Sequence, residues 1–135
     1  MPRETIALIR AAMAWLAASC AMMTAVALEP RWSAVLRPAL VHTLTLGWLS
    51  QFIFGVAHWL FPKNLQHPPR GDLRRVWWLA GFWNAGLVLR LAAEPRLMAG
   101  TADIATRMAM SLSAAFLLAG SVVFVVHMWP RVRGA

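Results

Sequence analysis

The sequence predicts an all-α integral membrane protein, a four-helix up-and-down bundle, on three observations. Of its 135 residues 60% are hydrophobic and only 13% charged, with a positive mean hydropathy, far more apolar than a soluble domain of this length requires. Four apolar blocks, at about residues 5–27, 38–61, 75–95 and 106–129, each reach the roughly 20 residues that a bilayer span needs. The connections between them are short and hold proline or glycine, where a helix is expected to stop. Backbone in lipid must satisfy its own hydrogen bonds, and four short blocks cannot close a barrel, so all four are expected to be helices. Almost nothing is left for a soluble domain, and 1–135 reads as a single transmembrane domain.

The first block ends in "TAVALEP", whose Ala25 and Ala27 offer an Ala-x-Ala cleavage pattern; the segment is nonetheless expected to be retained as a span. It contains the single Cys20, which excludes an intrachain disulfide and reads as a packed, inert thiol. The second block carries His42, Gln51 and His58 among apolar neighbours. Counted at about 100° per residue on a regular helix, Gly47, Gln51 and approximately Gly55 share the His58 face, with His42 roughly opposite and ~24 Å away. The two glycines read as a groove for close approach of another helix or a planar ligand. The third block carries Arg90, and the fourth, in "VVFVVHMWP", carries His127 three residues before Pro130, much as His58 stands four before Pro62.

Basic residues give a formal charge of +8, but they flank the apolar blocks instead of forming a stripe, so no nucleic-acid partner is expected. Arg3, Arg10, Lys63, Arg70, Arg74, Arg75, Arg131 and Arg133 fall on one side; Arg31, Arg37, Arg96 and Arg107 fall on the other, with Arg90 inside a span. The positive-inside rule then places both termini in the cytoplasm, against anionic membrane lipid. Most of the tryptophans lie near span ends, as an interfacial belt would; Trp48 and Trp83 lie deeper, where packing against something flat is the alternative.

Ionisable residues in spans are costly and mark cavities, partners or cofactors. With this topology His58 and His127 share a depth near the inner face, where two imidazoles could clamp one haem iron; the alternative is a pair of interfacial histidines. Arg90 comes to the depth of His42 near the outer face, where it and its neighbours could pair with haem propionates or reach the headgroups. A second ligand beside His42 would be Met98, Met108, Met110, water or a residue from another subunit. Phosphate loops, paired cysteines, a Ser/His/Asp set and a carboxylate pair within a span are all missing, and the acidic residues lie near ends or in loops. Neither a hydrolase nor a proton pump built on buried carboxylates is expected. Copper handling, raised by eight Met and one Cys, is weaker than core packing because those residues are scattered.

The stretch "RPALVHTLTLGWLSQFIFGVAHWLFPK", with "WWLAGFWNAGLVLR" and "VVFVVHMWPRVR" in support, resembles subunit I of the haem-copper oxidase and nitric oxide reductase superfamily, including NnrS-like membrane proteins. The whole chain is similar to small four-helix, subunit I-like bacterial proteins. The resemblance implies a bacterial inner-membrane protein binding haem b, with His42 at the position of an axial ligand on the second helix. His58 matches no position of that pattern. The ligands of the later helices have no counterpart, and the chain contains no Tyr, so complete oxidase chemistry in one chain is excluded. In subunit I, twelve helices form three arcs of four; a homotrimer of this chain would imitate that ring and bring three copies of His42 to one depth. The expected function is electron transfer or NO/O₂ handling beside a respiratory partner. The alternative is a cofactor-free accessory or assembly subunit.

Overall fold

The computed structural model describes residues 1–61 and 71–133. Lys63 and Arg70 of the predicted inner basic group, and Pro62, lie outside the described residues. Helix α1 spans Arg3–Leu28. The second span is composite: a 3₁₀ turn Pro30–Trp32, α2 Ser33–His42, a π-helical segment Thr43–Ser50 and α3 Gln51–Leu60. Helices α4, Leu73–Met98, and α5, Ile104–Arg133, complete the chain, and there is no strand among the described residues. Four stretches, Arg3–Leu28, Pro30–Leu60, Leu73–Met98 and Ile104–Arg133, are long and apolar enough to cross a membrane.

Caps explain several of the ends. The Asp72 side chain accepts from the Arg74 backbone N–H at the start of α4, and Asp103 does the same for Thr106 at the start of α5. Gly100 follows α4 with φ +72°, the left-handed conformation in which helices commonly end, and the next residue, Thr101, donates its N–H back to the Arg96 carbonyl. The prolines behave differently from the expectation that each stops a helix: Pro38, Pro95 and Pro130 all lie inside helices. Each removes one backbone donor, a local loss that membrane helices tolerate, and beyond Pro95 and Pro130 only about one turn remains.

Successive spans run antiparallel. Thr5 faces Gly55 while Trp15 faces Gly47 and Ser19 bonds Thr43, so α1 descends as the second span ascends. His42 meets Glu94 while Leu46 meets Trp83, and Gly86 meets Ser113 while Gly120 meets Trp83, which orders the second span, α4 and α5 in the same alternating sense. Both termini therefore share one end of the bundle.

The interior mixes polar with apolar side chains around a Leu79, Trp83 and Leu87 core, while the outside is largely apolar. Thr5, Ser19, Thr43, Gln51 and Ser113 are buried, whereas Met13, Val88, Leu118, Val122 and Val125 point outward. Water would punish that arrangement and lipid favours it. Ser113 donates to the Gly86 carbonyl at 2.7 Å and Ser19 to Thr43 at 3.0 Å, the interhelical glue expected where apolar burial gains little. Trp32, Trp59, Trp77, Trp78 and Trp129 are exposed, as a belt requires. Trp83 is instead buried: it meets Phe54 edge-on with centroids 4.8 Å apart and approaches the backbone at Gly120.

The π segment decides which residues the second span buries. Its i→i+5 bonding widens the turn beyond four residues. Thr43, Gly47, Gln51 and Gly55, four apart, and then His58 all stay buried in sequence. A regular helix would rotate such a row by about 40° at every step. The regular-helix count between His42 and His58 accordingly does not hold across Thr43–Ser50. The groove over Gly47 and Gly55 is filled by α1: Trp15 covers Gly47, and Leu8 with Ile9 covers Gly55. Within the same segment the Leu46 carbonyl accepts a bond of 2.9 Å from Trp83 Nε1, tying the widened turn to α4.

Candidate functional site

The structure gathers the predicted site residues into two clusters at opposite ends of the bundle. At the end away from the termini, α2 supplies His42 and α4 supplies Arg90 and Glu94. His42 Nδ1 lies 2.7 Å from Glu94 Oε1, and Arg90 Nη1 donates to that same oxygen at 3.1 Å. Arg90 and Glu94 stand four residues apart on one helix face, the spacing that lets an ion pair form along a turn. Glu94 is almost wholly buried, whereas about a third of the His42 side chain, 32%, remains exposed at the flank of the bundle.

His42 Nδ1 and Glu94 Oε1 stand within ion-pair distance, and the same carboxylate oxygen accepts from Arg90 Nη1, so the buried carboxylate faces both side chains at once. No described residue engages His42 Nε2. An imidazole with a carboxylate beside one ring nitrogen and the other nitrogen available has the neighbours that metal-ligating histidines commonly have. The donor chemistry at His42 is compatible with a single imidazole ligand to a haem iron. Arg90 is committed to Glu94 instead of reaching headgroups, and its role is to balance the buried carboxylate.

The second cluster lies at the terminus end, where α3 and α5 meet. His58 Nδ1 and His127 Nε2 are 3.2 Å apart, with ring centroids at 5.3 Å. The equal depth expected for these two histidines is thus what the fold produces. Arg131, also buried, donates from Nη1 to the His58 carbonyl at 3.1 Å and from Nη2 to the Phe61 carbonyl, satisfying acceptors that the end of α3 leaves open. Two imidazole nitrogens on opposite sides of one metal centre stand about 4 Å apart, twice a metal–imidazole bond of ~2 Å, with the macrocycle between them. The contact at 3.2 Å leaves no room for that plane, so the pair as placed does not fit a haem and serves as an interhelical tie.

Among the described residues no group of three or more His, Cys, Asp or Glu is placed to hold a metal ion, and Cys20 is exposed on the outside of α1 instead of packed as expected. Of the methionines expected as second ligands, Met98 and Met108 are likewise exposed and Met110 is half-buried. Gln51 is completely buried, with no partner for its amide among the described residues. No family model, curated protein or solved structure matches the chain.

Glu94 is the site residue that sequence reasoning missed. It was grouped with acidic residues near span ends, yet it lies in the predicted third block, and the Arg90–Glu94 interval of four was visible in "RLAAE". Arg131 was read as a topology charge only. Nothing in its position beside Pro130 reveals that it turns inward to cap α3.

Proposed function

We propose that this chain is a haem-b-binding membrane protein for electron transfer or NO/O₂ handling, with His42 as an axial ligand. The observation that carries the reading is the His42 Nδ1–Glu94 Oε1 contact of 2.7 Å at a histidine whose Nε2 is unengaged. The resemblance to haem-copper oxidase subunit I, which marks the same residue, supports it independently. Bound haem supplies a one-electron iron couple. His42 would offer Nε2 to the iron; Glu94, 2.7 Å from Nδ1, would favour the orientation and basicity of the ring, and Arg90 offsets the Glu94 charge.

About a third of the His42 side chain is exposed, so we place the completed site between copies, in a homotrimer that brings the second spans together. In this reading the terminus end faces the cytoplasm of a bacterial inner membrane, since Arg3, Arg10, Arg74, Arg75, Arg131 and Arg133 gather there, and a respiratory-chain partner exchanges electrons with the haem.

The contact between His58 and His127 favours a second reading, a cofactor-free accessory or assembly subunit, because it explains two of the three intramembrane histidines as packing. An absorbance scan of the purified protein, with native mass spectrometry of the same sample, separates the two. A Soret band and a haem-bearing trimer are expected. A colourless preparation after expression with haem precursor supports the accessory subunit, and a haem-bearing monomer at all concentrations removes the shared site.

A further inference from the structure

A groove lies apart from both histidine clusters, between the last turns of α4 and the first turns of α5. It encloses about 690 Å³. Leu89, Ala92, Ala105 and Ala109 give it an apolar floor, kept open by the small alanine side chains, while Arg96 and Asp103 line its mouth. Both helices end at this level, which puts the mouth where apolar spans give way to headgroups. Ile104 and Met108 beside it are strongly exposed, so the floor continues into an apolar surface.

The two charges at the mouth are available. Asp103 spends one oxygen on capping α5: Oδ1 accepts from the Thr106 N–H at 2.8 Å and the Thr106 hydroxyl at 2.6 Å, leaving Oδ2 for another donor. Those bonds hold its carboxyl below the usual range, with the nearby Arg96 adding to the effect, so Asp103 is ionised throughout neutral pH. The Arg96 side chain makes no ion pair among the described residues, with Asp103 or with any other acid.

We propose that this groove binds one phospholipid whose head carries both a phosphate and a primary ammonium, phosphatidylethanolamine. Arg96 pairs with the phosphate, Asp103 Oδ2 accepts from the ammonium N–H, and an acyl chain follows the alanine floor. An anionic headgroup without an amine leaves Asp103 facing negative charge. A choline headgroup has the right charges but no N–H to donate. Charge complementarity together with donor chemistry therefore selects the occupant.

Native mass spectrometry of the full chain, released from detergent with equimolar phosphatidylethanolamine, phosphatidylcholine and phosphatidylglycerol, tests the assignment. One retained lipid is expected, with phosphatidylethanolamine favoured roughly three- to fivefold over each competitor, the scale of an exposed charged contact. Asp103→Asn keeps a capping oxygen, as asparagine is an equally good N-cap, so the fold is retained. It is expected to abolish the preference over phosphatidylcholine and to reverse that over phosphatidylglycerol; Arg96→Gln weakens retention of all three. Equal retention of the three lipids by the unsubstituted protein, or an undiminished phosphatidylethanolamine preference in Asp103→Asn, overturns the proposal.

Discussion

Replacing Glu94 by leucine is expected to lower the stability of the bundle by about 3–5 kcal/mol, the cost of leaving a buried charge without its partner. Glu94 Oε1 accepts from Arg90 Nη1 at 3.1 Å and lies 2.7 Å from His42 Nδ1, and the side chains of Arg90 and Glu94 are only 17% and 4% exposed. Leucine leaves the Arg90 guanidinium without its carboxylate acceptor. Glu94→Gln retains an acceptor and should lose less. The double variant Glu94→Leu/Arg90→Met removes both charges and should recover most of the loss, because the penalty lies in the orphaned cation and is not additive. Denaturant titration in mixed micelles reads all three. Wild-type stability in Glu94→Leu would show that the carboxylate does not bear on the fold.

The second large effect is expected at Gly47. A Cβ built there falls 2.8 Å from both Cβ and Cγ of Trp15, the rigid root of that side chain and not a flexible tip. Relief requires α1 to move away from the second span, which disturbs the Trp15 Nε1 bond of 2.7 Å to Asn84 on α4. Gly47→Ala should therefore cost about 1–3 kcal/mol by overpacking, and Gly47→Val more. Gly81→Ala is the matched control: its added methyl meets no atom within 4 Å, and the change should be neutral or stabilising by up to ~1 kcal/mol through helix propensity. Equal behaviour of the two alanine variants would contradict the close approach of α1.

These residues also mark how far the sequence could be read. The four spans were legible because lipid demands long apolar runs, and Gly47 and Gly55 were legible as a close-packing face because only small residues admit a neighbour there. The equal depth of His58 and His127 followed from counting back from Pro62 and Pro130. Helix ends were less legible: Pro38, Pro95 and Pro130 were expected to stop helices that continue through them. The π segment Thr43–Ser50 left no mark in composition, since it is a property of backbone bonding stabilised by partners such as Trp83 on another helix. Its presence changes the facing of everything on one side of it relative to the other. Glu94 escaped notice for a related reason. Proximity to a span end implies solvent for most carboxylates, and only the tertiary meeting of α2 and α4 encloses this one beside His42.

His42, beside Glu94, is the proposed haem ligand. Its role is tested most directly by pyridine-haemochrome quantitation and the Soret spectrum of His42→Ala, compared with the double variant His58→Ala/His127→Ala, each confirmed to insert in the membrane. His42→Ala is expected to lose most bound haem with its Soret band, because the proposed site loses its imidazole ligand, while the double variant keeps the wild-type spectrum and haem content at reduced stability. Full haem content in His42→Ala together with its loss in the double variant would contradict the account and move the iron to the terminus end.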